Sequence, residues 1–326
     1  MLAQTFGGRW EVIASIGEGG QAHVFEVRDL RHEVEGRIVL KRLKNPHRLG
    51  RFAQEIAAMQ QVDSPRVARV IDFAVAEPAY IVSPFVGPTL ETFLGDDRTL
   101  DERLSLIQQV GFGLMAAHDQ GVAHRDLKPD NVLVRNEREA VLADFGICQI
   151  VANEVVLTTT DELLGNASFA APECQGAGGD PGTWSDIYSL GKLAYWAVTG
   201  KIMFRETIPE DTLPNPTGVE RAHLRRLISQ LVIASPVDRP AIRQAIRLVS
   251  ATRRRIRLGV NAIGVRDQVC TACREGTMHR ERHFEPYGLT RRGNPDVDMR
   301  VLRCDNCGHI QFYYIDGAPT APLWEM

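Results

Sequence analysis

Within 19 residues the chain places three side chains whose oxygens suit a hard divalent cation: Asp126, Asn131 and Asp144. They lie in VAHRDLKPDNVLV and AVLADFGICQI, where apolar runs flank clusters of Asp, Asn and Lys. Magnesium takes a few such oxygens and completes its shell with water and substrate phosphates, so the set reads as phosphate chemistry. A polar loop between two strands is the plainer reading. The number of specific residue types that fall together weighs against it. Upstream, IGEGGQAHV sets Gly17 and Gly19 between two apolar runs. A glycine-rich turn there lets backbone N–H groups approach phosphate oxygens. Alone, that pattern is equally an ordinary hairpin. IVLKRL puts Lys41 inside an apolar strand. Such a lysine usually faces solvent, and it gains meaning only if a carboxylate meets it. Glu55, 14 residues on, is the candidate.

The elements that must position these groups follow from periodicity. WEVIASIG, HVFEVRD, RIVLKRL, RVARVIDFAV and AYIVSPFV read as strands. Between them RFAQEIAAMQQV places Phe52, Ile56 and Met59 on one helical face. The first 90 residues are therefore a small antiparallel sheet with one inserted helix. From about Leu100 the pattern is mostly helical. DERLSLIQQVGFGLMAAHDQG puts Leu104, Ile107, Val110, Leu114 and Ala117 on one stripe, with Gly121 as a stop. SDIYSLGKLAYWAVTG is a second apolar helix, with Ser185 or Asp186 as its cap and Gly200 at its end. VERAHLRRLISQLVIA and RPAIRQAIRLVSATRRRIR supply two more.

Taken together, the glycine-rich loop, the strand lysine, the helix glutamate, His124-Arg125-Asp126, Asp144-Phe145-Gly146 and Ala171-Pro172-Glu173 occur in one order. In that order, from about Trp10 to Arg257, the chain resembles a eukaryotic-type serine/threonine protein kinase. The resemblance implies an α+β, two-lobed kinase fold, with a sheet lobe at about 8–86, a larger helical lobe at about 87–257, and ATP between them. It implies that Ile16, Gly17, Gly19 and Val24 cover the nucleotide and that Lys41, paired with Glu55, holds its phosphates. It implies that Asp126 accepts the substrate hydroxyl proton, that Lys128 steadies the γ-phosphate, and that Asn131 and Asp144 bind Mg²⁺ or Mn²⁺. Pro84 and Val86 would offer the backbone groups that meet adenine. Pro84 lacks an N–H but keeps the carbonyl that position uses. Ser83, at the back of that pocket, is small, which implies room for bulky adenine mimics. Lys128 within HRDLKPDN resembles serine/threonine enzymes and not tyrosine-specific ones.

Several positions depart from the family pattern. Ala22 replaces the third loop glycine. The spacing of Lys41 and Glu55 is short, so the link into the helix must be tight. Asn166 stands where threonine is usual, and Phe169 where tyrosine often is. Arg125 often grips a phosphorylated loop in this family. Thr158, Thr159 and Thr160 are the candidate phosphosites, or else plain loop threonines. Asp186, and Glu173 paired with Arg239, match fold-holding positions. The competing class is a catalytically weak, kinase-like scaffold that recruits a protein or nucleic-acid partner. A small-molecule kinase is a third reading.

Residues 258–326 change character. From 259 onward there is no lysine, and two Cys-x-x-Cys pairs appear: Cys270 with Cys273, and Cys304 with Cys307. Two such pairs close a tetrahedral thiolate site and resemble a zinc ribbon holding a structural Zn²⁺. Disulfides, an iron–sulfur centre, or substitution by His279, His283 or His309 stay open. Eight arginines against nine acidic residues make this part a poor phosphate trap, so protein docking or intramolecular regulation is favoured over nucleic acid. The cluster Arg253–Arg257 is either a basic patch or a solvated helix end. The composition agrees with a globular chain: 326 residues, 44% hydrophobic, 24% charged, net charge −3. No apolar run approaches the roughly 18–20 residues needed to span a bilayer. MLAQTFGGRWEV lacks the features of a signal peptide. The expectation is a cytoplasmic protein acting on protein substrates, with no membrane partner.

Overall fold

The computed structural model describes residues 4–18, 22–95, 97–146, 168–174, 182–204, 206–209, 212–214 and 219–258, with three strands at 278–280, 299–304 and 310–314. The chain divides into two compact units, Met1–Arg257 and Leu258–Met326.

The first unit begins with an antiparallel sheet. Its strands are β1 (Thr5–Phe6), β2 (Trp10–Glu18), β3 (Ala22–Asp29), β4 (Ile38–Leu43), β5 (Asp72–Ala74) and β6 (Tyr80–Pro84), in the order β1-β2-β3-β4-β6-β5. One face buries Phe6, Trp10, Val27, Ile38, Leu40, Tyr80 and Val82 in a core of its own. Side chains alternate along a strand, so Lys41 points away from Leu40 toward the other face. Helix α1 (Leu49–Gln61) buries Phe52, Ile56 and Met59, the three residues whose spacing predicts one face. The link into it is tight, as its length requires. The Asn45 side chain accepts from the His47 N–H, and a single 3-10 turn, Pro46–Arg48, leads directly into α1. RVARVIDFAV is not one long strand. Only Asp72–Ala74 joins the sheet, while Val67 bridges to Leu142 and the Ala68 N–H donates to Leu142 O at 2.8 Å.

The helical lobe is organised around α3 (Leu100–His118). Leu104, Ile107, Val110, Leu114 and Ala117 are all fully buried, as their stripe predicts. Thr99 and Glu102 close a reciprocal capping box at its start, and Gly121 (φ 75°) turns the chain after its end. A short helix α2 (Leu90–Phe93) precedes it, and the hairpin β7 (Val132–Arg135) and β8 (Glu139–Leu142) follows. A Cβ at Gly113 would lie 3.0 Å from Leu142, so glycine lets β8 approach α3 closely. Helix α4 (Thr183–Thr199) ends at Gly200 in the left-handed region, as expected. Its N-cap is Gly182, with no side-chain cap. Ser185 and Asp186 therefore do not cap it, because both are buried and committed elsewhere.

Helices α5 (Val219–Leu231) and α6 (Ile242–Leu258) complete the lobe. The basic cluster at the end of α6 is largely consumed by packing. Arg253 donates to both Asp101 oxygens, at 3.0 and 3.2 Å, and to Gln108 at 2.6 Å, while Arg255 is buried. In the second unit, β9 (Met278–Arg280), β10 (Met299–Cys304) and β11 (Ile310–Tyr314) form an antiparallel sheet in the order β11-β10-β9. The stretch MRVLRC and, within HIQFYYI, Ile310–Tyr314 thus form strands, with Arg303 opposite Ile310 and Cys304 opposite Met278. No helix among the described residues is long and apolar enough to cross a membrane.

Candidate active site

Asp186, in the first turn of α4, is wholly buried. Its carboxylate accepts from the backbone N–H of His124 (2.8 Å) and of Arg125 (2.7 Å), and lies 2.7 Å from His118 Nε2. Three partners offset the desolvation of a buried carboxylate. They also fix the 124–131 loop to α4. Arg125 is held there at φ 65°, a backbone region that non-glycine residues seldom occupy.

On this pinned loop the Asp126 N–H donates to His124 O at 2.9 Å. Asn131 Nδ2 donates to Asp126 O (2.7 Å) and to Asp126 Oδ2 (2.8 Å), and Lys128 Nζ lies 3.1 Å from the same Oδ2. One oxygen of Asp126 is thus fixed by an amide and a cation. Its other oxygen accepts no hydrogen bond among the described residues. The Gly146 N–H donates to His124 O at 2.9 Å, and a Cβ at 146 would lie 2.3 Å from that of Asp126. Only glycine permits this approach.

Across the cleft, Lys41 Nζ lies 2.8 Å from Asp144 Oδ1 and 3.4 Å from Glu55 Oε1. The expected lysine–glutamate pair is present, but Asp144 is the nearer partner. Burial alone would lower the Lys41 pKa, yet Asp144 and Glu55 together raise it above its usual value. Burial pushes Glu55 up to about 7, with Lys41 opposing and Asp144 adding. For Asp144, burial would act upward too, but Lys41 holds it below the usual carboxylate range. Asp144 takes φ 56°, a second unusual backbone at the site.

Beyond β6, the Phe85 N–H donates to Arg37 O at 2.8 Å, and the Arg37 guanidinium lies 4.0 Å over the Phe85 ring. Ser83 is half-buried opposite Val39, and Pro84 is exposed opposite Ile38. Val86 makes no backbone hydrogen bond among the described residues. Gly17 pairs with Val24, and Ile16 is exposed. Gly19, Thr158, Thr159, Thr160, Asn166, Cys270, Cys273 and Cys307 lie outside the described residues, and Cys304 is described only by its backbone.

The donor set fits a divalent cation and a nucleotide. Asn131 turns its nitrogen to Asp126, leaving Oδ1 without a hydrogen bond among the described residues, and the Asp144 carboxylate is the second hard oxygen. Among the described residues, no cluster of three or more His, Cys, Asp or Glu could hold a metal ion.

Residues 10–248 match the family described as the protein kinase domain. The chain belongs to the protein kinase domain family. It is 32% identical over 211 residues to a probable serine/threonine-protein kinase PknB of Lactococcus lactis, covering 62% of this chain and 33% of that protein. It is 31% identical over 257 residues to the serine/threonine-protein kinase PknA of Mycobacterium tuberculosis, covering 73% and 59%. A serine/threonine-protein kinase of Myxococcus xanthus, pkn3, is 31% identical over 289 residues, covering 78% and 52%. The chain thus spans between a third and three fifths of these curated relatives. The family match and the relatives support a protein serine/threonine kinase.

Two residues that the motif reading left without a role help to build this kinase domain's site. His124 is fully buried, and its Nε2–H donates to Ala143 O at 3.0 Å. Burial lowers its pKa, against the pull of Asp186 and Asp126, which fits a neutral ring bridging the loop to the residue before Asp144. His118 reaches Asp186 from the end of α3. The signal for His124 was its place in the His-Arg-Asp triplet. For His118 there was none beyond its position before the turn.

Proposed function

We propose that this protein is a kinase that transfers the γ-phosphate of ATP, with Mg²⁺, to serine or threonine hydroxyls of protein substrates. The observation that carries the reading is the state of Asp126: one oxygen fixed by Asn131 and Lys128, the other without a hydrogen bond among the described residues. An open, oriented carboxylate oxygen can take the proton of an incoming hydroxyl. Lys128, beside it, is placed to steady charge on the phosphate in transfer. Lys41 is kept cationic by its two carboxylates and can neutralise phosphate oxygens. The N–H and C=O of Val86 can receive the adenine edge. Asn131 and Asp144 would hold the magnesium, which when bound shields phosphate charge and aids in-line transfer. Transfer of labelled γ-phosphate to protein by the full chain, lost in Asp126→Ala at unchanged melting temperature, is the expected result. Equal labelling by the two would leave a kinase-like scaffold as the better reading.

Arg125 supports autophosphorylation. Its buried Nε has no hydrogen-bond partner among the described residues, and a phosphate on Thr158, Thr159 or Thr160 would supply one. Loop phosphate found by mass spectrometry in the wild type and absent from Asp144→Asn is expected.

For Leu258–Met326 the reading is a zinc ribbon used for docking or regulation, its metal held by Cys270, Cys273, Cys304 and Cys307. Support comes from register. Cys304 ends β10 opposite Met278, the start of β9, five residues after Cys273. The connection carrying Cys307 leaves the sheet from that same end of β10. One zinc per chain by metal analysis is expected, and purified protein without zinc would refute it.

A further inference from the structure

Arg37, the residue before β4, meets the segment after β6 in two ways. Its carbonyl accepts from the Phe85 N–H at 2.8 Å, and its guanidinium lies 4.0 Å over the Phe85 ring. Glu26 of β3 holds the same guanidinium. Arg37 Nε donates to Glu26 Oε1 at 3.2 Å, and a terminal nitrogen donates to Oε2 at 2.7 Å. Two parallel bonds fix the plane of a guanidinium as well as its place. Glu26 sits opposite Val39, and Val24 opposite Lys41. Strand alternation therefore puts Glu26 on the face of the sheet that carries Lys41. Three parts of the sheet lobe converge on one planar cation: β3, the start of β4, and the segment after β6.

The transfer chemistry uses none of these side chains, but their place bears on the base. Beyond Phe85 the chain is fixed again at Pro88, whose carbonyl accepts from the Val134 N–H at 2.8 Å, and at Thr89, which bridges to Leu133. Val86 and Gly87 lie between these two anchors. Where the Val86 backbone stands therefore depends on where Phe85 and Pro88 are held. Resting on the kinase reading above, in which Val86 meets adenine, we infer that Arg37, oriented by Glu26, braces Phe85 and so presents the Val86 backbone to the base. Arg37 and Glu26 are positioning residues, acting on adenine through Phe85. The backbone bond from Phe85 to Arg37 survives any side-chain substitution, so the brace sharpens a placement that the sheet already makes.

The test is calorimetric binding of adenosine, and separately of ATP with Mg²⁺, to the full chain and to variants, with the unfolding free energy of each protein measured alongside. Arg37→Met and Phe85→Leu should each weaken binding about threefold, the size an exposed cation–π contact supports. The loss should be equal for adenosine and ATP, because the base is common to both. Arg37→Lys keeps the charge but loses the planar fork, and should bind like Arg37→Met. Glu26→Gln should show the same pattern at about twofold. The double variant Arg37→Met with Phe85→Leu should lose less than the product of the single losses, because the two residues share a contact. A loss confined to ATP and restored by Arg37→Lys, with tighter ATP binding by Glu26→Gln, would mean a field effect on the phosphates and overturn the brace. Lower unfolding free energy with unchanged affinity would mean a merely structural role and overturn it too. So would a full product of losses in the double variant. A wild type that binds neither ligand would sink the kinase reading and this inference with it, whereas wild-type affinity in every variant would sink this inference alone.

Discussion

Lys41 and Arg239 each meet carboxylates from a distant part of the chain, and the two clusters are built in opposite ways. Arg239 spends its guanidinium completely. Nε donates to Ile233 O at 2.7 Å, and the two terminal nitrogens reach Glu173 at 2.5 and 2.8 Å, Trp184 O at 3.0 Å and Ala234 O at 2.9 Å. Ser185 adds a hydroxyl donor to Glu173 at 2.7 Å. Every group is matched, so the cluster has one arrangement. Lys41 instead faces two carboxylates that compete for one cation, at 2.8 and 3.4 Å. An excess of acid in a half-buried place raises one pKa and leaves charge ready for a new cation. A saturated cluster holds a fold, and an unsaturated one is free to do chemistry.

Substitutions can break or sharpen that contrast. The largest stability effect belongs to Arg239→Met, which strands the Glu173 carboxylate. A loss of about 3–5 kcal/mol in denaturant unfolding is expected, as for any broken buried pair. Ser185→Ala removes one donor to the same carboxylate and should cost roughly 1.5–3 kcal/mol by the same measurement. Thr99→Ala, in neither cluster, opens only the α3 capping box and should cost about 1 kcal/mol. If it proved as damaging as Arg239→Met, the cluster at Arg239 would not be the special fold-holding element.

A separate effect is in pH, and the two glutamates should differ in sign. Glu55, pushed up to about 7 when folded from 4.5 as its ordinary value, prefers its proton in the folded state. Its contribution to stability falls as pH rises from about 4.5 to about 7. Glu173 is the reverse. Burial acts upward on it, but Arg239 and Ser185 hold it below 4.5. Its contribution is present above that value and is lost as pH falls below it. Urea unfolding across pH should show Glu55→Gln flattening the upper window and Glu173→Gln the lower. Matching windows for both would erase the distinction.

Much of this was legible in the sequence, and the failures share a cause. The α3 stripe and the Phe52-Ile56-Met59 face could be read because burial there follows local periodicity. The capping box at Thr99 was present as Thr-x-x-Glu and needed only to be noticed. Ser185 and Asp186 had the chemistry of helix caps, but distant partners took them: Glu173 for one, the 124–131 loop for the other. Val67 and Ala68 had strand character, yet Leu142, far along the chain, claimed them. The arginines at the end of α6 resembled a basic patch until Asp101 and Gln108 met Arg253. At the candidate site, motif order named residues that the structure brings together, Asp126 with Lys128 and Asn131, and Lys41 with Glu55 and Asp144. It gave no hint that Asp144 would sit closer to Lys41 than Glu55 does, because that distance depends on how the lobes close.

The contrast between the clusters is tested most directly by the rate of γ-phosphate transfer by Lys41→Met, measured beside its unfolding free energy. Removal of one preorganised charge from the transfer site should slow transfer by roughly 10²–10³-fold. Its stability loss should be smaller than that of Arg239→Met, since Glu55 can hold a proton in place of the lost cation. Transfer at the wild-type rate, or unfolding as severe as that of Arg239→Met, would contradict the assignment of Lys41 to chemistry and Arg239 to the fold.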